Sequence, residues 1–177
     1  MPGLIRSHHG VTPTIAPSAF VAETAVVIGD VVIGEEASIW YGCVLRGDGN
    51  SIRVGARTNI QDGTVVHINH EWEGAAGTKT TIGADITIGH MALIHACTLE
   101  DGCFVGMKAC VMDGAIVESG AMVAAGALVT PGKRVKRGEL WAGSPARLMR
   151  TLTEKELKYF SYTAQHYCEL AASYREG

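Results

Sequence analysis

The 177-residue sequence lacks the features that mark several common protein classes. There is no basic excess: 15 Lys+Arg stand against 18 Asp+Glu, a formal net charge of -3. Nothing is arranged to neutralise a phosphate backbone, and no nucleic-acid partner is expected. Although 47% of residues are hydrophobic, no apolar run approaches the roughly 18 residues of a membrane-spanning helix, so no membrane association is expected. Met1 to Gly10 carries no apolar core of a secretory signal. Cys43, Cys97, Cys103, Cys110 and Cys168 form no CxxC pair and are odd in number, which predicts reduced thiols and a cytoplasmic location. Aromatic residues are 6% and prolines 5 in number. Glycine is abundant instead: 22 of 177 residues, about 12% against a usual ~7%. With so little proline, this is neither collagen nor a disordered linker.

The glycines follow a six-residue repeat. Ile15, Val21, Val27, Ile33, Ile39 and Leu45 stand at intervals of six. After an insertion around Gly47 to Asn50 the series resumes at Val54, Ile60 and Val66, and after a longer one, about 70–80, at Ile82, Ile88 and Ile94. A one-residue slip precedes Leu99, Val105, Val111, Val117, Val123, Val129, Val135 and Trp141. A period of six fits neither a helix nor an alternating strand. It fits short parallel strands with inward aliphatic anchors and small residues at the corners. Three hexads close one triangular coil, so twenty anchors predict six to seven coils. The pattern resembles the hexapeptide-repeat, left-handed parallel β-helix family, and the handedness comes from that resemblance. The expected division is an N-terminal arm over 1–14, the β-helix over 15–147 and a C-terminal helix within 148–177. Thr153 and Glu156 read as that helix's capping box, and Leu157, Phe160, Ala164, Tyr167 or Cys168, and Ala171 as its apolar stripe.

Counting anchors back from Ile94 assigns three faces, with Ile94 on face A, Ile88 on face C and Ile82 on face B. The residue after each face-A anchor forms a column, Arg46, His67, His95, with the two histidines about 4.8 Å apart on successive coils. The residue two after each face-C anchor forms another, Tyr41, Asp62, His90, Met107. His90 therefore points from a different face than the pair. Two chains packed head to tail would unite them, and three copies of a triangular prism close a ring. The expectation is a homotrimer with inter-subunit sites of three histidines and an open fourth position, the ligand pattern of catalytic zinc. His70 is a candidate proton relay. His8 and His9 read as solvated, and His166 has no role. Cys97, Cys103 and Cys110 fall on three faces, as core or corner thiols.

Three segments carry a narrower resemblance: Arg46-Gly-Asp48, Asn59-Ile-Gln-Asp-Gly-Thr-Val-Val-His67 and Gly89-His90-Met-Ala-Leu-Ile-His95. They resemble the γ-class carbonic anhydrases. The resemblance implies a trimeric enzyme that hydrates CO2 to bicarbonate with a metal-bound hydroxide. It makes His67, His90 and His95 the ligands of Zn2+, with Fe2+ or Co2+ as alternatives, and has His90 donated across the subunit boundary. Gln61 then matches the residue that orients the hydroxide, and Asn59 a neighbour of the CO2 pocket. Arg46, Asp48 and Asp62 match an inter-subunit salt-bridge network, and Tyr167 a tyrosine reaching the site from the terminal helix. The sequence departs from the family pattern where relay glutamates are expected. Gly49 stands beside Asp48, the 70–80 loop has only Glu71 and Glu73 as acids, and His70 occupies the relay stretch. Two other readings stay open: a CoA-dependent acyltransferase, and a weakly active or non-catalytic metal-binding trimer.

Overall fold

In a computed structural model, which describes residues 3–176, the anchors stack in parallel ladders as three columns. Face B runs Ile15, Ile33, Val54, Ile82, Leu99, Val117, Val135. Face C runs Val21, Ile39, Ile60, Ile88, Val105, Val123, Trp141. Face A runs Val27, Leu45, Val66, Ile94, Val111, Val129 and gains Ile5 beneath Val27. Nearly all anchors are fully buried, with Ile15, Val21 and Trp141 half-exposed at the ends. A second inward position lies two residues before each anchor, because strand side chains alternate sides. It takes mostly small residues, such as Ala25, Ala37, Ala115 and Ala121, but also Val31, Ile52 and Ile86, all buried. Cys43, Cys97 and Cys103 fill the same position, and burial pushes the Cys43 thiol up to about 11 and that of Cys97 to about 12. All five cysteines are free.

Every departure from the period falls on one edge. The 6–14 segment, the Gly47 to Asn50 insertion, the 70–80 loop and the slip after Ile94 all lie between a face-A anchor and the next face-B anchor. The Gly47 to Asn50 insertion shifts the ladder locally between Gly29 and Val31, yet the anchors stay paired, Leu45 with Val66 and Ile82 with Leu99. Extra residues bulge outward at a corner, where no inward side chain need move.

Two expected boundaries shift. The 1–14 arm is not wholly irregular, because Leu4–Arg6 pairs in parallel with Val26 to Ile28. At the other end, the chain does not pass directly from the solenoid to the helix. Glu139–Gly143 is followed by Ala146–Thr151, which folds back antiparallel on it and covers an otherwise open strand edge. The helix then spans Glu154–Glu176. Its capping box forms: the Thr153 amide donates to Glu156 at 2.8 Å, and the Glu156 amide to Thr153 Oγ1 at 3.3 Å. Hydrogen bonds from Arg150 and Thr153 hold the Glu156 carboxyl down at about 2.

The helix lies along face C of its own chain. Phe160 stacks on Phe104 with centroids 5.0 Å apart, and Tyr167 meets Trp40 edge-on at 5.4 Å. Ala164 and Ala171 are buried as expected, but Leu157 is exposed and Thr163 takes a place in the stripe. Leu157, in the first turn, meets the solenoid only at the Gly120 corner, its Cδ2 3.7 Å from where a Cβ at that position would stand.

Truncation of a mid-column anchor, Ile39→Ala, is expected to cost about 2–5 kcal/mol in chemical denaturation. Ile15→Ala, at a half-exposed end, should cost clearly less. Because Glu156 titrates lower in the folded protein, its contribution is present at neutral pH and is lost as pH falls from about 4.5 towards about 2. Circular dichroism should show helix loosening across that window, and Glu156→Gln should remove its pH dependence.

Candidate metal centre

His67 and His95 end two short strands, Val65–His67 and Leu93–His95, that pair in register. One residue past an inward anchor the side chain points out, so the two imidazoles stand one above the other on the A/B edge. Their centroids are 5.2 Å apart, and His67 Nδ1 lies 3.2 Å from His95 Nε2. The outer nitrogen of each ring is engaged by a carboxylate: His67 Nε2 by Asp48 at 3.2 Å and His95 Nδ1 by Asp113 at 2.6 Å. A carboxylate only accepts, so these outer nitrogens donate. The inner nitrogens are then left with lone pairs directed at one another, which a cation between them would relieve. Two imidazole nitrogens on one tetrahedral zinc are about 3.3 Å apart, close to the observed separation. The donor pair fits zinc.

Burial is the main influence lowering the His67 pKa, with the Arg46 charge acting in the same direction and the Asp48 hydrogen bond opposing it. The imidazole is thereby favoured in the neutral form a metal requires. Burial tends to raise the Asp48 carboxyl, but hydrogen bonds from Arg46 and His67 prevail and hold it low. Arg46 pairs with the other Asp48 oxygen. His70 closes the same edge, lining a cavity of about 210 Å³ with Arg46, Asp48 and His67. A side chain at position 49 would place its Cβ 3.0 Å from His70 Cβ. Such a side chain would therefore press on His70. His8 and His9, read as solvated, line a further cavity against Asp48 and Gly49.

His90 stands on the C/A edge, in the expected column. Backbone hydrogen bonds from Gly63 to Tyr41, Met91 to Asp62 and Lys108 to His90 link its rungs. The preceding Gly89 admits no side chain, since a Cβ would lie 2.6 Å from the Met107 nitrogen. His90 Nδ1 contacts Asp62 at 2.8 Å. A cavity of about 270 Å³ opens here, lined by His90, Gln61, Phe104, Met107, Tyr159 and Tyr167. Gln61 Nε2 donates to Asn59 Oδ1 at 3.1 Å, and the buried Asn59 donates to Thr87 Oγ1 at 2.9 Å. Burial raises the Tyr167 phenol above its usual pKa, and the Asp62 charge adds to this.

The residues predicted from sequence therefore gather at two edges of one prism. Arg46, Asp48, His67, His70 and His95 share the A/B edge, while Gln61, Asp62, His90 and Tyr167 share the C/A edge, with Asn59 behind Gln61. Among the described residues of one chain, no group of three or more His, Cys, Asp or Glu converges on a metal position. Asp62 pairs with His90 and does not join Arg46 and Asp48 within the chain. Sequence reasoning does not single out Asp113, whose only signal is its place two residues after the Val111 anchor, one rung beyond His95.

Removing the Asn59 side chain should free Gln61 and leave buried groups unpaired. Asn59→Ala is expected to lower stability by about 1–3 kcal/mol in thermal or urea unfolding, whereas the more peripheral Tyr41→Ala should cost less.

Among the described residues, no helix is long and apolar enough to cross a membrane. No family model matches the chain. It is 52% identical over 160 residues to gamma carbonic anhydrase 2, mitochondrial, of Arabidopsis thaliana, a match that covers 90% of this chain and 58% of that protein. The chain thus spans less than two thirds of the plant relative's length. It is 37% identical over 172 residues to a carbonic anhydrase of Geobacillus kaustophilus, covering 97% of this chain and 91% of that one. The crystal structure of a hexapeptide transferase family protein from Anaplasma phagocytophilum is similar at a TM-score of 0.90 and 50% identity, over 97% of this chain and 98% of that one. With the three histidines in their two columns on a parallel solenoid, these likenesses establish that the chain belongs to the γ-class carbonic anhydrase family of hexapeptide-repeat proteins.

Proposed function

We propose that the protein catalyses reversible hydration of CO2 to bicarbonate at zinc sites shared between the subunits of a homotrimer. The observation that carries this reading is the pair of half-sites on opposite edges of face A. His67 and His95 stand at one edge with inner nitrogens 3.2 Å apart, and His90 stands at the other beside Gln61 and Tyr167. Face C is covered by the chain's own helix, so the neighbour meets face A and its edges. The surface between the half-sites is apolar and bare: Val65, Leu93, Met91 and Met107 are all exposed. A neighbouring copy there buries those side chains and completes the ligand set. Such a contact is head to tail, and three copies close it into a ring.

His67 and His95 of one chain, with the neighbour's His90, hold the ion. Bound there, zinc acidifies its water and so supplies a nucleophile at neutral pH. Asp48 and Asp113 keep the ligand rings in their working tautomers. Asn59 holds the Gln61 amide nitrogen, which leaves the Gln61 carbonyl oxygen to accept a hydrogen bond from a reacting water and so orient it. Phe104 and Met107 give CO2 an apolar wall. Tyr167, kept as a neutral phenol, donates to a bicarbonate oxygen. His70, at the rim with Arg46 and Asp48, passes the released proton outward. A reducing, cytoplasmic compartment suits the five free cysteines.

Stopped-flow CO2 hydration tests the reaction, and mixed subunits test the shared site. His90→Ala and His67→Ala are each expected to abolish hydration and lower zinc content. Trimers reassembled from the two variants together should regain activity, because some sites then receive His90 from one chain and His67 with His95 from the other. No rescue, or hydration that survives His90→Ala, would overturn the reading. Thiol release from acetyl-CoA in place of hydration would point to acyl transfer.

A further inference from the structure

Each of the three candidate ligands meets one carboxylate: His67 meets Asp48, His90 meets Asp62, and His95 meets Asp113. The first two acids belong to segments that carry the family resemblance. Asp113 does not, yet its 2.6 Å contact with His95 is the shortest of the three. Its second oxygen accepts from Asn69 Nδ2 at 3.1 Å. Asn69 opens the 70–80 loop and closes its base, with its amide donating to Thr78 at 2.9 Å. The loop enters above His67, whose carbonyl accepts from Thr80 Oγ1 at the loop's far end. One carboxylate thus spans from a ligand ring to the loop that carries His70.

We infer that Asp113 is a positioning residue that fixes His95 as the Nδ1–H tautomer and ties that ring to the base of the 70–80 loop through Asn69. Its importance for zinc rests on the function proposed above. The charge and hydrogen-bond inventory supports the assignment. A carboxylate offers acceptors only, so His95 Nδ1 must donate to it. The proton is then held away from Nε2, the atom that faces His67. With Asp113 removed, either nitrogen can carry the proton, and a ring protonated at Nε2 presents no lone pair to the ion. Outer partners of metal-binding histidines commonly change metal affinity by about 10–100-fold. The Asn69 link makes the loop part of that support: if its base is displaced, one Asp113 oxygen loses its donor and the carboxylate is free to swing from His95.

The test uses the full-length trimer with two readouts, the ring-nitrogen NMR shifts of His95 in metal-free protein and zinc affinity by competition with a chromophoric chelator. The wild-type protein is expected to show the Nδ1–H tautomer. Asp113→Ala should show mixed tautomers and zinc binding about 10–100-fold weaker, with its circular dichroism unchanged. Asp113→Asn is the isosteric variant: its side-chain oxygen can still accept from His95, but its amide nitrogen cannot accept from Asn69. It should keep the tautomer and show faster amide exchange at Asn69. Asp113→Ala with wild-type tautomer and wild-type zinc affinity would overturn the inference while leaving the proposed function standing. Wild-type protein that holds no zinc but shows an Asp113-dependent tautomer would overturn the proposed function and support the positioning role.

Discussion

The in-register parallel ladder is the constraint on which the rest of this protein depends. Each rung repeats the last because every sixth residue must point inward to fill a narrow triangular core, with the side chain two before it turned inward as well. Once inward positions are fixed, outward positions are fixed as well, because side chains alternate sides along a strand. His95 therefore stacks on His67, and Asp62 stacks beneath His90, without any special device at the histidines themselves. The scaffold supplies the vertical spacing of the histidine pair as a consequence of burying isoleucine and valine.

The lateral arrangement has a different origin. Corners tolerate extra residues that strands do not, and all four irregularities of the chain lie on the A/B edge. That edge gathers Asp48 from the first insertion, His70 from the long loop and Asn69 from its base, around a histidine pair supplied by the regular repeat. Regular structure places the ligands, and irregular structure brings the groups that orient them. The crowding between Gly49 and His70 is the same principle at the scale of one methyl group: a side chain at 49 would press on the loop from the second insertion. The opposite edge is built by tertiary packing, where the terminal helix lays Tyr159 and Tyr167 over the Gln61 and His90 surface.

Much of this was legible in the sequence because the repeat carries a register. The three columns, His90's separation from His67 and His95, and the capping box of Thr153 and Glu156 all follow from counting residues. Sequence reasoning was weakest where contacts cross the repeat's own logic. The ends of the solenoid were misjudged at Leu4–Arg6 and Ala146–Thr151, since an open strand edge recruits whatever chain is near. Leu157 belongs to the helical stripe by spacing yet stays exposed at the Gly120 corner.

By itself, then, the sequence determined the fold, the family and the columns in which the candidate histidines stand, because a period-six burial pattern fixes which way each side chain points. Only the tertiary structure decided what those histidines are bound to. The approach of Asp113 to His95, Asp62 to His90 and Gly49 to His70 depends on how far each corner bulges and where the helix lies. Those distances are set by packing between segments remote in the chain, and spacing along the sequence does not encode them.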